Sequence, residues 1–139
     1  PLIVLFLEHP YLARKPPKSL DRDDFCEALP EGLSPEDGAA TLTEVTAAAV
    51  AASLAHFPSP PREWLVSGGG RHNPAIMAAL ARRLAAPVRP VEAAGWDGDA
   101  LEAQAFAYLA VRSRCGLPLS LPSTTGAPYP VRGGRLFLA

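Results

Sequence analysis

Three adjacent glycines, Gly68, Gly69 and Gly70, stand in the stretch WLVSGGGRHNP at 64–74, between an apolar run and an Asn-Pro pair. Glycine has no Cβ, so a run of them lets a ligand lie against the main chain where a side chain would collide. The place also suits a ligand, because open parallel sheets bind beyond the carboxyl ends of their strands. Amides at the start of the following helix, with Asn73 as its cap, would attract an anion. A nucleotide phosphate, a ribose or a sugar hydroxyl fits such a setting. A tight strand-to-helix turn, whose glycines only let the helix pack close to the sheet, fits the same letters, and both readings stand at this level. Two named fingerprints do not fit. GGGRHN lacks the Lys-Ser or Lys-Thr end of a Walker loop, and GGGRHNPA does not space its glycines as GxGxxG.

Carboxylates carry the second candidate chemistry. In GWDGDALEAQAFAYLA at 95–110, Asp97 can cap a helix, while Asp99 and Glu102 lie three apart on a stripe shared with Phe106 and Leu109. Acids in a first turn are favoured by the helix dipole whatever their function. On a cleft wall the same acids would accept hydrogen bonds from hydroxyl groups. Glu102 is the sharper candidate, since an ionised Glu on an apolar stripe needs a partner if it is buried.

Three lesser features complete the set. His72 has no companion His or Cys at ligand spacing and reads as a solvated hydrogen-bonder. Lys18, in PPKS, reads as a surface lysine, with phosphate binding as the alternative. Thr41 and Thr43 read as helix hydroxyls bonded back to their own chain. Cys26 and Cys115 match neither a zinc pattern nor a disulfide framework and fit reduced thiols in a cytoplasmic protein. No metal site is expected.

The elements that must hold these residues follow from punctuation and period. A helix over 2–8 stops at His9-Pro10, and the chain enters it without a cap, as a piece of something longer would. A polar loop follows. Ser34 caps a helix that starts at Pro35 with Glu36 and Asp37 against its positive end, and Leu42, Val45, Ala49 and Ala52 continue it to about His56. EWLVS at 63–67 reads as a strand buried on both faces. A helix runs from Pro74 to about Leu84, a weaker strand spans 88–92, and a third helix runs from Gly98 to Cys115, ended by Gly116. This order implies an α/β fold, a parallel sheet with packed helices. Abundant alanine favours helix and close packing.

Composition sets the outer limits. A length of 139 residues fits one domain. Thirteen Lys and Arg against 14 Asp and Glu give a net charge of -1, without the basic surface that binding nucleic acid requires. LIVLFL at 2–7 is far shorter than the roughly 20 residues that span a bilayer, so a soluble protein with no membrane partner is expected.

Taken together, HPYLARKPPKSLDRDDF, DGAATLTEVTAAAVAASL, WLVSGGGRHNPAIMAAL, GWDGDALEAQAFAYLAVR and TTGAP resemble the carboxyl-terminal half of the bacterial anhydro-N-acetylmuramic acid kinases, in order and spacing, over nearly the whole chain. The resemblance implies a ribonuclease H-like, actin-like ATPase fold, with residues 1–139 as one partial domain of a two-domain kinase. Such enzymes open the 1,6-anhydro ring with water and phosphorylate O6 from ATP with Mg2+, in peptidoglycan recycling. The resemblance places Gly68, Gly69, Gly70 and Asn73 at the nucleotide and Asp97, Asp99 and Glu102 on the substrate side. It also implies that the phosphate loop and catalytic aspartate belong to the amino-terminal half, the partner this chain lacks, so that no catalytic residue lies here and the chain alone is inactive. Homodimers are implied as well. SLDRDDF departs from the Ser-Thr-Gly-Arg-like pattern of the family. Two alternatives remain beside this resemblance: another sugar or acetate-type kinase of the superfamily, and a non-catalytic binding or assembly module.

Overall fold

The computed structural model describes residues 2–19 and 32–137. Cys26 and SLDRDDF beyond Ser19 lie outside them. The elements run α1 (Leu2–Leu7), α2 (Pro10–Ala13), α3 (Pro35–Ala52), β1 (Trp64–Val66), α4 (Pro74–Arg83), β2 (Val88–Pro90), α5 (Leu101–Arg114) and α6 (Pro122–Thr125), with 3₁₀ turns after α3, before α4 and after β2. The architecture is α/β, and the two strands pair in parallel with Trp64 opposite Val88 and Val66 opposite Pro90.

Local signals set most boundaries. Ser34 accepts a hydrogen bond from the amide of Asp37 at the start of α3, and Pro35 occupies the first helical position. The stretch expected as loop after His9 instead makes the single turn α2, with proline at its start and the His9 ring accepting from the Tyr11 amide. Its far end is held by Lys18, whose ammonium donates to the carbonyls of Tyr11 (2.9 Å) and Leu12 (3.0 Å) and lies 4.6 Å from the centre of the Tyr11 ring. Lys18 is therefore a clamp on its own loop, rather than the solvated lysine expected. Thr43 bonds back to the carbonyl of Ala39, as a helix hydroxyl does.

The core lies between α3, α4 and the sheet. Ala47 and Ala79 are fully buried where the two helices meet, next to Leu80 and Leu84, with Val50, Trp64 and Val66 packed around them. Small side chains let the helix backbones approach closely, which is why alanine takes the centre. The buried face of α3 is set by Val45, Ala47 and Ala48, while Leu42 is 47% exposed. Glu44 ties the same two helices at the surface through hydrogen-bonded ion pairs to Arg82 and Arg83. Residues Pro35–His56 are long and apolar enough, by length and composition, to cross a bilayer. Here the stretch seats α1 and α4 and carries the ion-paired Glu44, as a packed helix of this fold does.

The strand at 64–66 is not buried on both faces as expected. Trp64 and Val66 face the core, but Leu65 is 38% exposed, because the described part of the sheet has two strands and nothing covers its outer face.

Candidate functional site

The glycines follow directly from β1. Gly68 adopts φ of 71° and ψ of -175°, a conformation essentially confined to glycine, and so breaks the strand sharply. Gly69–His72 then form a 3₁₀ turn that leads into α4. Asn73 caps that helix, its side-chain oxygen accepting from the amides of Ala75 (2.9 Å) and Ile76 (3.3 Å). These amides were expected to be open to an anion. They are already satisfied by the cap, so the start of α4 offers less than the sequence suggested.

What stays open is the loop itself. A Cβ built on Gly68, Gly69 or Gly70 meets no atom within 4 Å. The glycines are therefore not there to let the helix pack against the sheet. Gly68 and Gly69, with Ser67, form one wall of a cleft whose other wall is Gly98, Asp99, Leu101 and Glu102, enclosing about 480 Å³. Two groups of residues singled out separately in the sequence thus face one another across a single space.

The acidic wall is built by a turn. Asp97 accepts from the amides of Asp99 (3.0 Å) and Ala100 (3.1 Å), shaping 97–100 ahead of the helix proper. α5 itself begins at Leu101, three residues later than expected, so Asp97 caps the turn before the helix. Glu102 stands exposed on the cleft wall, not buried on an apolar stripe, because α5 has no buried residue on any face. Gly70 and Asn73 do not line this cleft. Gly70 borders instead an apolar hollow of about 420 Å³ beside Trp64, Val66 and Ile76.

One residue that the sequence reading passed over joins both walls. Arg71 has a side chain 2% exposed, buried beneath the glycine loop. Its Nε donates to Glu92 (2.8 Å), one terminal nitrogen donates to the carbonyl of Gly68 (2.9 Å), and the other lies 2.8 Å from Asp99. A planar guanidinium with five N–H donors is the side chain that can serve three such partners at once. Hydrogen bonding to Arg71 holds the Asp99 carboxyl below its ordinary value. The carboxyl of Glu92 is held low by its own backbone amide and then by Arg71. The same bonds, that to Asp99 foremost, raise Arg71 further still. His72 is largely exposed, as expected, and its Nε2 lies 3.6 Å from Asp99, close enough for an ion-pair contact and too long for a hydrogen bond. Gly98, in WDGD, is not among the glycines at positive φ; what excludes a Cβ there is the Arg71 guanidinium pressed against it.

Such an arrangement can hold a ligand that needs bare backbone on one side and acceptors for hydroxyl groups on the other. Among the described residues no three of His, Cys, Asp or Glu converge as metal ligands do.

Known proteins resemble the chain over nearly its whole length. The profile described as anhydro-N-acetylmuramic acid kinase matches residues 1–139. Curated relatives that carry that name include one from Paramagnetospirillum magneticum, 62% identical over 133 residues, which cover 94% of this chain and 38% of the relative. Another, from Acidiphilium cryptum, is 62% identical over 133 residues, covering 94% of this chain and 37% of the relative. A third, from Rhodospirillum rubrum, is 61% identical over 133 residues, 96% of this chain and 36% of the relative. The chain spans a little over a third of the length of these proteins.

Proposed function

The chain belongs to the anhydro-N-acetylmuramic acid kinase family, and on that premise we propose that it supplies the carboxyl-terminal, nucleotide- and sugar-facing domain of an ATP-dependent kinase. The whole enzyme opens 1,6-anhydro-N-acetylmuramic acid with water and phosphorylates it at O6, in peptidoglycan recycling. Its fold is the two-domain, actin-like ATPase arrangement, and the other half brings the phosphate loop, the Mg2+ site and the catalytic aspartate. Its setting is cytoplasmic.

The single observation that supports this reading most is the shared cleft: exposed glycine backbone at Gly68 and Gly69 faces Asp99 and Glu102 across one space. ATP fits the glycine side, where a Cβ would take up volume that is now empty. Asn73 supports that side by fixing the start of α4, and Asp97 supports the other by shaping the turn that presents the acids. Asp99 and Glu102 accept hydrogen bonds from sugar hydroxyls. A site with only these parts positions ligands and transfers nothing, since phosphoryl transfer depends on metal and phosphate groups held in line.

The test is an assay of the full-length protein with anhydro-N-acetylmuramic acid and ATP, read by mass spectrometry of the sugar product. The expected product is N-acetylmuramic acid 6-phosphate, which is the anhydro sugar plus one water and one phosphoryl group, with ADP as the co-product. Glu102→Gln, at an exposed position, should leave the fold intact and lower kcat/KM for the sugar roughly 10- to 100-fold, the size of one lost charged hydrogen bond. No phosphorylated sugar from the wild type, or unchanged kinetics in that variant, would count against the assignment.

A further inference from the structure

We propose that Arg71 is the positioning residue of this cleft: its buried guanidinium fixes the spacing between the glycine wall and the acidic wall. The inference rests on the reading above for what the cleft binds, but not for the linkage itself.

The geometry that points to it is the joining of three separate segments by one side chain. Gly68 closes β1, Glu92 lies in the 3₁₀ turn after β2, and Asp99 lies in the turn before α5. Arg71 bonds to all three at 2.8–2.9 Å. Gly98 completes the joint. A Cβ at that position would stand 2.4 Å from Nε of Arg71 and 2.7 Å from its Cζ, so the turn passes flat against the guanidinium. The amide of Gly98 also donates to the oxygen of Glu92 that Arg71 engages. Because α5 has no buried residue, hydrophobic packing does not hold the acidic wall in place. The polar joint does.

Arg71 reaches no ligand in this arrangement. It acts through the Gly68 carbonyl and the Asp99 carboxylate, both of which belong to the cleft. Its loss is survivable for the fold, since the side chains of Glu92 and Asp99 are 45% and 77% exposed and keep their water when the cation is removed. Lysine cannot replace it, because one ammonium on a flexible stem does not span three partners.

Amide hydrogen exchange on the full-length, ligand-free protein tests the joint directly, with ATP kinetics as the second readout. Arg71→Met is expected to speed exchange at 68–70 and at 97–102 together, by about tenfold or more, while α3 and α4 keep their protection. KM for ATP should rise about tenfold with a smaller change in kcat. Gly98→Ala should do the same, and the double variant should be no worse than the poorer single, since both release one joint. Glu92→Gln, on the solvent side and outside the cleft, should show a weaker form of the same change even if Arg71→Met fails to fold. Unchanged exchange in both segments, or single effects that add in full, would overturn the proposal. A wild type that binds no ATP would sink the kinase reading, and the exchange result would still decide the role of Arg71.

Discussion

The body formed by α3, α4 and the sheet and the arm formed by α5 are built on different physics. In the body, Ala47, Ala79, Leu80 and Leu84 are buried at 0–6% exposure and helices meet through small side chains. In the arm, Phe106, Tyr108 and Val111 are each at least 60% exposed, and the fixed points are polar. Arg112 donates to the carbonyl of Pro118 (2.7 Å), Ser113 donates to the carbonyl of Gly133 (2.6 Å), and Arg71 holds the turn that precedes the helix. A ligand site laid across the two therefore has one wall set by packing and one set by hydrogen bonds. The first resists small perturbations, and the second responds to charge and pH.

The largest expected effect breaks the body. Leu80→Ala removes a core side chain 6% exposed and should cost about 2–5 kcal/mol of stability in denaturant unfolding. The matched change in the arm, Val111→Ala at 60% exposure, should cost no more than about 0.5 kcal/mol in this chain. Equal losses would erase the distinction. Next in size is the wall that the body contributes to the cleft. Gly68→Ala forces a Cβ into a conformation suited to glycine and should cost about 1–3 kcal/mol, although the space around it is empty.

Acid sharpens the contrast further. The Asp99 and Glu92 carboxyls are held below their ordinary values in the folded chain, Asp99 chiefly by Arg71. Their contribution is thus complete above the unfolded range near pH 4 and is lost as pH falls through the lowered folded values. The melting temperature of the wild type should fall more steeply below about pH 4 than that of Arg71→Met. Part of the slope should survive in the variant, because Glu44 is held low in the same way by Arg83 and Arg82. Parallel curves would show that the Arg71 joint carries no charge-dependent stability.

Much of this was legible in the sequence because the signals were local. Ser34, Asn73 and Gly116 mark their helix ends through bonds or dihedrals that need only neighbours. The parallel pairing of 64–66 with 88–90 follows from strand and helix alternating along the chain. The errors lie where a distant partner decides. Lys18 looked solvated because its carbonyl partners lie six and seven residues away across a proline-stiffened loop. Glu102 drew attention because its stripe is apolar and burial there would demand a partner, yet the residue is exposed and no residue of α5 is fully buried. Arg71 was missed because its partners sit 21 and 28 residues further on, and a charged letter in a glycine loop reads as solvent-facing until they are known.

Of the three glycines, Gly69 separates ligand from fold most cleanly. Its φ lies outside the left-handed region, a Cβ there meets nothing within 4 Å, and it lines the cleft. Gly69→Val in the full-length protein should therefore fold and melt as the wild type does. Calorimetric titration with ATP should then show binding to the wild type and none to the variant. Equal affinity in both would mean that no nucleotide lies against this backbone, and the account of the cleft would fail.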